Sequence, residues 1–260
     1  MPNDAILIKA RNTQYTWIIS RRMATQYLHG SSPAPTKVVT LVEMLPKWEK
    51  DILQEVYFII PEQTVWGTLC WGKCYAASDG LAPKGWGSFG LILSDKRGEH
   101  LTQCQGPVFN YAISLYRAEA SGMLSFFHFL IRMTKMHQRD GHQAQSPYLV
   151  CNNQSLVWSV DKMTKFSTIF PNTTMDVEWD CLAQILQAIK SLGEVLPNID
   201  HIAGHQDKDT PYGQLSLPAQ FNCNANTLAA VYLHDNPLME HKHSPIFLAG
   251  ELIMRQLRLS

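Results

Sequence analysis

Asp79, Glu119, Asn152, Asn226 and His205 are the residues whose types and placement could do chemistry. Asp79 closes the apolar run Lys73-Cys74-Tyr75-Ala76-Ala77-Ser78 and is followed by Gly80. A carboxylate at the end of a central strand costs desolvation unless a metal ion, a basic partner or the chemistry of a site offsets it. The glycine after it permits a tight turn and the close approach of a ligand. Taken singly, each residue has a plainer reading beside the chemical one. Asp79 is then a turn residue, Glu119 a helix-start carboxylate complementing the helix dipole, and His205 a loop histidine.

The elements that must position these residues are legible from residue 73 onward. Strands are predicted at Lys73–Ser78, Ser88–Ser94, His100–Gln105, Tyr148–Cys151 and Asn198–Ala203. Asp95-Lys96-Arg97-Gly98 is a hairpin turn whose glycine can take positive φ. Arg117-Ala118-Glu119 opens a helix with Leu124, Phe127, Leu130 and Ile131 on its apolar side. Asp176 is the expected N-cap of a second helix, which Gly193 closes. Ser216 and Pro218 open a third. The order β-β-β-α-β-α-β-α predicts an α/β fold: a five-stranded mixed sheet flanked by helices. In it Asp79 follows the first strand, Glu119 begins the first helix and Asn152 follows the fourth strand. Asn226 lies in the last helix, and His205 in the loop after the fifth strand.

Residues 1–72 read as an N-terminal extension. Ala5–Ile8 and Tyr15–Ile19 are β-like, and the apolar spacing from Val38 to Phe58 predicts two short helices around Pro46. Residues 233–260 form a tail, in which His241 and His243 are readable as metal ligands or as a solvated turn. The 260 residues carry zero formal net charge, so bulk charge argues neither for nor against nucleic acid. Six cysteines stand singly, without zinc-type pairing, and read as free thiols in a reducing compartment. No apolar run spans a bilayer and no secretion signal is evident, so an intracellular protein without a membrane partner is expected.

The motifs Ser78-Asp79-Gly80, Gly87-x-Phe89-Gly90 and Tyr116-Arg117-Ala118-Glu119 come in a telling order. They are followed by Val150-Cys151-Asn152-Asn153, Trp179-Asp180, Gly204-His205-Gln206-Asp207 and Ala219-Gln220-Phe221-Asn222-x-x-Ala225-Asn226. Together they resemble the ribonuclease H-like superfamily, most closely the ribonuclease H-like domain of retrotransposon polyproteins, over about residues 73–232. The resemblance implies hydrolysis of the RNA strand of an RNA–DNA hybrid, with two Mg²⁺ or Mn²⁺ ions roughly 4 Å apart. It assigns Asp79 as the ligand bridging both metals, Glu119 as the ligand of one, and His205 as a histidine assisting proton transfer or product release. Beside these assignments, Asn222, one turn before Asn226, reads as a positioning residue for substrate or backbone, and Arg117 reads either as a phosphate contact or as a side chain buried against the sheet.

Two of the family's four carboxylate positions fall on Asn152 and Asn226. An amide offers one neutral carbonyl oxygen in place of an anionic pair. The expectation is therefore an impaired nuclease, with Asp207 or Asp209 as possible substitute carboxylates. The alternatives are a non-catalytic nucleic-acid-binding module and an unselected relic of a transposable element. The polymerase signature Tyr-x-Asp-Asp is absent from the chain, which fits a remnant of a retroelement whose residues 1–72 derive from a connecting region.

Overall fold

The computed structural model describes residues 5–9 and 16–20 as backbone, and then 47–53, 55–71, 74–83, 86–109, 113–137, 143–165 and 178–236. Asp176, the expected cap, and the tail with His241 and His243 lie outside the described residues, as does most of the region around Pro46. Near the start, β1 (Ala5–Lys9) and β2 (Thr16–Ser20) form a two-stranded antiparallel sheet of their own.

The main sheet begins earlier in the chain than the sequence suggests. Helix α1 (Lys47–Leu53) leads into strand β3 (Val56–Phe58), and helix α2 (Glu62–Cys70) follows. Strands β4 (Cys74–Leu81), β5 (Ser88–Asp95) and β6 (His100–Pro107) make an antiparallel meander. Helix α3 (Leu115–Met136) crosses to β7 (Tyr148–Cys151), which runs parallel to β4. Two helices, α4 (Gln154–Thr164) and α5 (Trp179–Leu192), then lead to β8 (Asn198–His201), parallel to β7. Helix α6 (Leu217–Asp235) closes the fold. The strand order is β3-β6-β5-β4-β7-β8, six strands where five were expected. The sixth, β3, escapes the apolar period because only three residues of it pair with β6.

Asp79 and Gly80 do not end the first strand; they lie inside β4, paired with Gly90 and Phe89. Gly80 does not turn the chain. A Cβ on it would sit 2.4 Å from the Ala118 carbonyl carbon and the Glu119 nitrogen. The missing side chain lets α3 lie directly on the sheet. Across the sheet, a Cβ on Gly90 would sit 2.1 Å from the Ala225 carbonyl oxygen, so α6 is seated equally closely on the opposite face. Side chains alternate along β4: Cys74 and Ala76 join the large core under α3, whereas Ala77 joins the small one with Val150, Phe221 and Ala225.

The caps fall where their residue types direct. Ser114 accepts from Arg117 N–H at the start of α3, and Asn153 accepts from Leu156 N–H at the start of α4. Gly193 closes α5 at φ 58°, as expected. At the β5–β6 hairpin, Gly98 takes φ 88° while Asp95 accepts from the N–H groups of Arg97 and Glu99. The helix α3 starts two residues before Arg117, so Glu119 stands in its second turn rather than at its mouth.

Candidate active site at the end of the central strand

The chain runs from β4 outward through β5 and β6, then returns to the other side of β4 with β7 and β8. The strand order therefore reverses between β4 and β7. In open sheets of this kind the crevice outside the carboxyl ends of the strands at that point accepts ligands. The last β4–β7 pair is Ser78 with Cys151. Asp79 and Gly80 continue past it, leaving one side of β4 without a strand. Asn152, Glu119 and the loop after β8 converge on that side.

Asp79 and Glu119 are 4% and 2% exposed, and their carboxyls hydrogen-bond to each other. Burial pushes the Glu119 carboxyl well above its ordinary value of 4.5, and the Asp79 charge beside it pushes the same way. Burial also raises Asp79, against hydrogen bonds from Glu119, Gly80 and Asn152 and the nearby His205, which lower it.

Asp79 has further donors. Gly80 N–H donates to its Oδ1 at 2.7 Å, and Asn152 Nδ2 donates to the same oxygen at 3.2 Å. Asn222 Nδ2, on α6, donates to Oδ2 at 3.1 Å. Asn222 is 2% exposed, so its amide faces the carboxylate rather than the solvent. Asn226 follows one turn later, half-buried, and its Oδ1 is enclosed without a partner, as is Oδ1 of Asn152. His205 is exposed at the head of a short 3₁₀ turn with φ 55°, close enough for its charge to act on Asp79. Asp207 is also exposed and meets Cys223 on α6.

The meander β4–β5–β6, a crossover helix to a strand beside β4, a further strand outside it and a closing helix on the opposite face reproduce the expected topology. The fold is ribonuclease H-like. The ribonuclease H-like sheet carries one extra edge strand here, β3.

No protein-family model matches the chain, and no curated protein matches it. Among solved structures, the chain is similar to LC11 RNase H1 in complex with RNA/DNA hybrid. The two are 16% identical, the match covers 64% of this chain and 100% of that one, and the TM-score is 0.41. It is similar to the RNase H domain of PFV at 16% identity, covering 61% and 93% of the two chains, with a TM-score of 0.44. For RNase H1 of Halobacterium salinarum the identity is 14%, the coverage 63% and 99%, and the TM-score 0.38.

Arg117 is not available to a phosphate. It is 3% exposed, with Nη1 and Nη2 on the two oxygens of Asp180, Nη1 also on Glu178, and Nε on the Phe109 carbonyl. Its partners lie 61 and 63 positions away in sequence, so no local pattern announces the pairing. Glu178, Asp180 and Cys181 cluster closely enough to suggest a cation site, but Arg117 already supplies the positive charge there. Sequence reasoning also missed Cys151, whose buried Sγ lies 3.9 Å from Glu119 Oε2. Its place at the end of an apolar strand, directly before Asn152, was the available signal.

The donor set does not fit two divalent cations. Such a pair needs several anionic oxygens to offset its mutual repulsion. Asp79 and Glu119 are the two carboxylates that meet here, Asn152 and Asn226 are neutral, and both oxygens of Asp79 already accept amide donors.

Proposed function

We propose that this chain is a retroelement-derived ribonuclease H-type domain, descended from a nuclease of RNA–DNA hybrids and impaired in cleavage. One observation carries the reading. Asp79 and Glu119 meet in the crevice at the end of β4, while the neighbouring strand end and the facing turn of α6 present Asn152 and Asn226. The anionic centre of a hydrolytic site is kept, and the surrounding charge that would concentrate cations is missing. In this reading Asp79 and Glu119 are the remaining catalytic carboxylates, and His205 is the histidine beside them.

The test is a paired cleavage assay on an RNA–DNA hybrid in Mg²⁺ and in Mn²⁺. The chain as it stands is expected to cleave little or not at all, and Asn152→Asp/Asn226→Asp to gain at least about a hundredfold, the scale on which single electrostatic groups act in catalysis. Strong cleavage by the unsubstituted chain would remove the impairment. No gain on restoration would remove the site assignment.

A non-catalytic nucleic-acid-binding module is the second reading, favoured by the amide donors already seated on Asp79. It expects hybrid binding that weakens steeply with salt, without cleavage in either metal.

A further inference from the structure

We propose that Asn152 and Asn222 hold the Asp79 carboxylate where a cation would otherwise stand, so that this site is stable without metal. The proposal rests on Asp79 and Glu119 being the anionic centre of the site, and not on nucleic acid being the ligand. Asn152 Nδ2 takes one oxygen of Asp79 and Asn222 Nδ2 takes the other. The two amides come from different elements, the end of β7 and the face of α6, and close on the carboxylate from two sides. The Gly80 N–H completes the set at Oδ1.

The amides are held in these orientations. Asn153, the neighbour of Asn152, caps α4 by accepting from Leu156 N–H at 3.0 Å, which fixes the backbone at the strand end. A Cβ on Gly204 would lie 3.0 Å from Asn152 Nδ2, so the loop after β8 is packed against that amide and leaves little room beside it. On the other side, Gly90 of β5 lets α6 come down until Asn222 is buried. Turning the Asn152 amide over would point its carbonyl oxygen at Asp79 Oδ1, acceptor against acceptor. A divalent ion binding Oδ1 of Asp79 must therefore displace N–H donors that already fill it, and one binding Oδ2 must share that oxygen with the Asn222 amide. An aspartate at 152 or 222 would convert a donor into a second anion, and only a proton or a cation could then offset the pair.

On this view the amide at 152 does more than remove a ligand. It removes the need for one. The stability of the fold becomes independent of divalent cations, and one substitution should make it dependent on them.

Thermal unfolding of the full chain, with Mg²⁺ compared against NaCl of equal ionic strength, tests this. For the unsubstituted chain we expect a Tm that Mg²⁺ leaves unmoved. For Asn152→Asp and Asn222→Asp we expect a lower Tm in EDTA that Mg²⁺ raises again. Mn²⁺ followed by electron paramagnetic resonance should bind either variant at least about tenfold more tightly than the parent, because a coordinating charge has been added. A loss of Tm that Mg²⁺ does not restore would reduce the amides to packing groups and overturn the proposal. Should neither variant fold, the parent decides alone. Bound Mn²⁺ that disappears in Asp79→Asn overturns the proposal, and a free-ion spectrum supports it. Nucleic acid is absent from both measurements, so failure of hybrid cleavage or binding leaves their outcome untouched.

Discussion

At Glu119 two effects act in one direction. Burial disfavours its ionised form, and so does the Asp79 charge. A carboxyl whose folded value is raised stabilises the fold while it is protonated. That contribution is complete below the unfolded value near 4.5 and is lost as pH rises through the folded value. We therefore expect Tm to fall as pH rises above 4.5, and Glu119→Gln to flatten the fall and to exceed the parent in Tm once the parent carboxyl has ionised. Parallel Tm profiles for parent and variant would contradict this. Such a gain from removing a charge at a site suits a residue kept for chemistry rather than for stability. The residue types at 79 and 119 were legible in the sequence because motif order placed them on particular elements. Their hydrogen bonds were not. The contacts of Asp79 with Asn152 and Asn222 depend on how deeply α6 sits, and no residue of α6 announces its depth. The reason is at Gly90, on another element.

The elements show where one sequence signal has two meanings. Gly80 after Asp79 fitted a tight turn, yet the same missing Cβ serves the seating of α3. We expect Gly90→Ala to push α6 off β5 and cost about 1–3 kcal/mol, the usual range for overpacking. Gly67, within α2, is the control, since a Cβ there meets nothing within 4 Å. Gly67→Ala should stabilise by up to about 1 kcal/mol through helix propensity. Urea midpoints of the two variants would separate in opposite directions. A Gly90→Ala midpoint equal to that of the parent would mean that α6 can rise without loss. Strand β7 was legible to the residue, because a short apolar run bounded by Pro147 and Asn152 has few other uses. Helix α4 was missed: only Leu156 and Val160 of its residues are buried, too thin a stripe to show helical period.

For the whole molecule, the segment before residue 73 matters more than its lack of motifs suggests. Glu49 on α1 is buried and accepts from Arg132 Nε at 2.8 Å, while its Oε1 lies 2.9 Å from His128 Nδ1. Both partners stand on α3. Cys104 Sγ and Ser125 Oγ both reach the Ile52 carbonyl, and β3 extends the sheet beside β6. Removing one partner of a buried ionic cluster leaves uncompensated charge. Glu49→Ala should therefore cost about 3–5 kcal/mol. Burial raises the Glu49 carboxyl, but the bonds and charges of His128 and Arg132 bring it below its ordinary 4.5. Its contribution is thus present above 4.5 and lost as pH falls through the lower folded value. Acid unfolding monitored by circular dichroism should be blunted in Glu49→Gln. An unchanged acid midpoint would place the acid sensitivity elsewhere. No local pattern marks this attachment, since Glu49 and its partners are 79 and 83 positions apart.

The same long separations govern when the crevice can exist. Asn152 meets Asp79 across 73 positions of chain, and Asn222 across 143. Closing loops of this length costs entropy before any contact is gained, so pairings of this kind form slowly. During synthesis from the N-terminus, the β4–β5–β6 meander and α3 emerge well before α6. Until α6 docks, Asp79 lacks the donor on its second oxygen, and the carboxyl pair stands partly uncompensated beside Glu119. The nascent chain is thus least settled around the residues that later define its site, and completion of α6 is the step that makes the central strand tolerable.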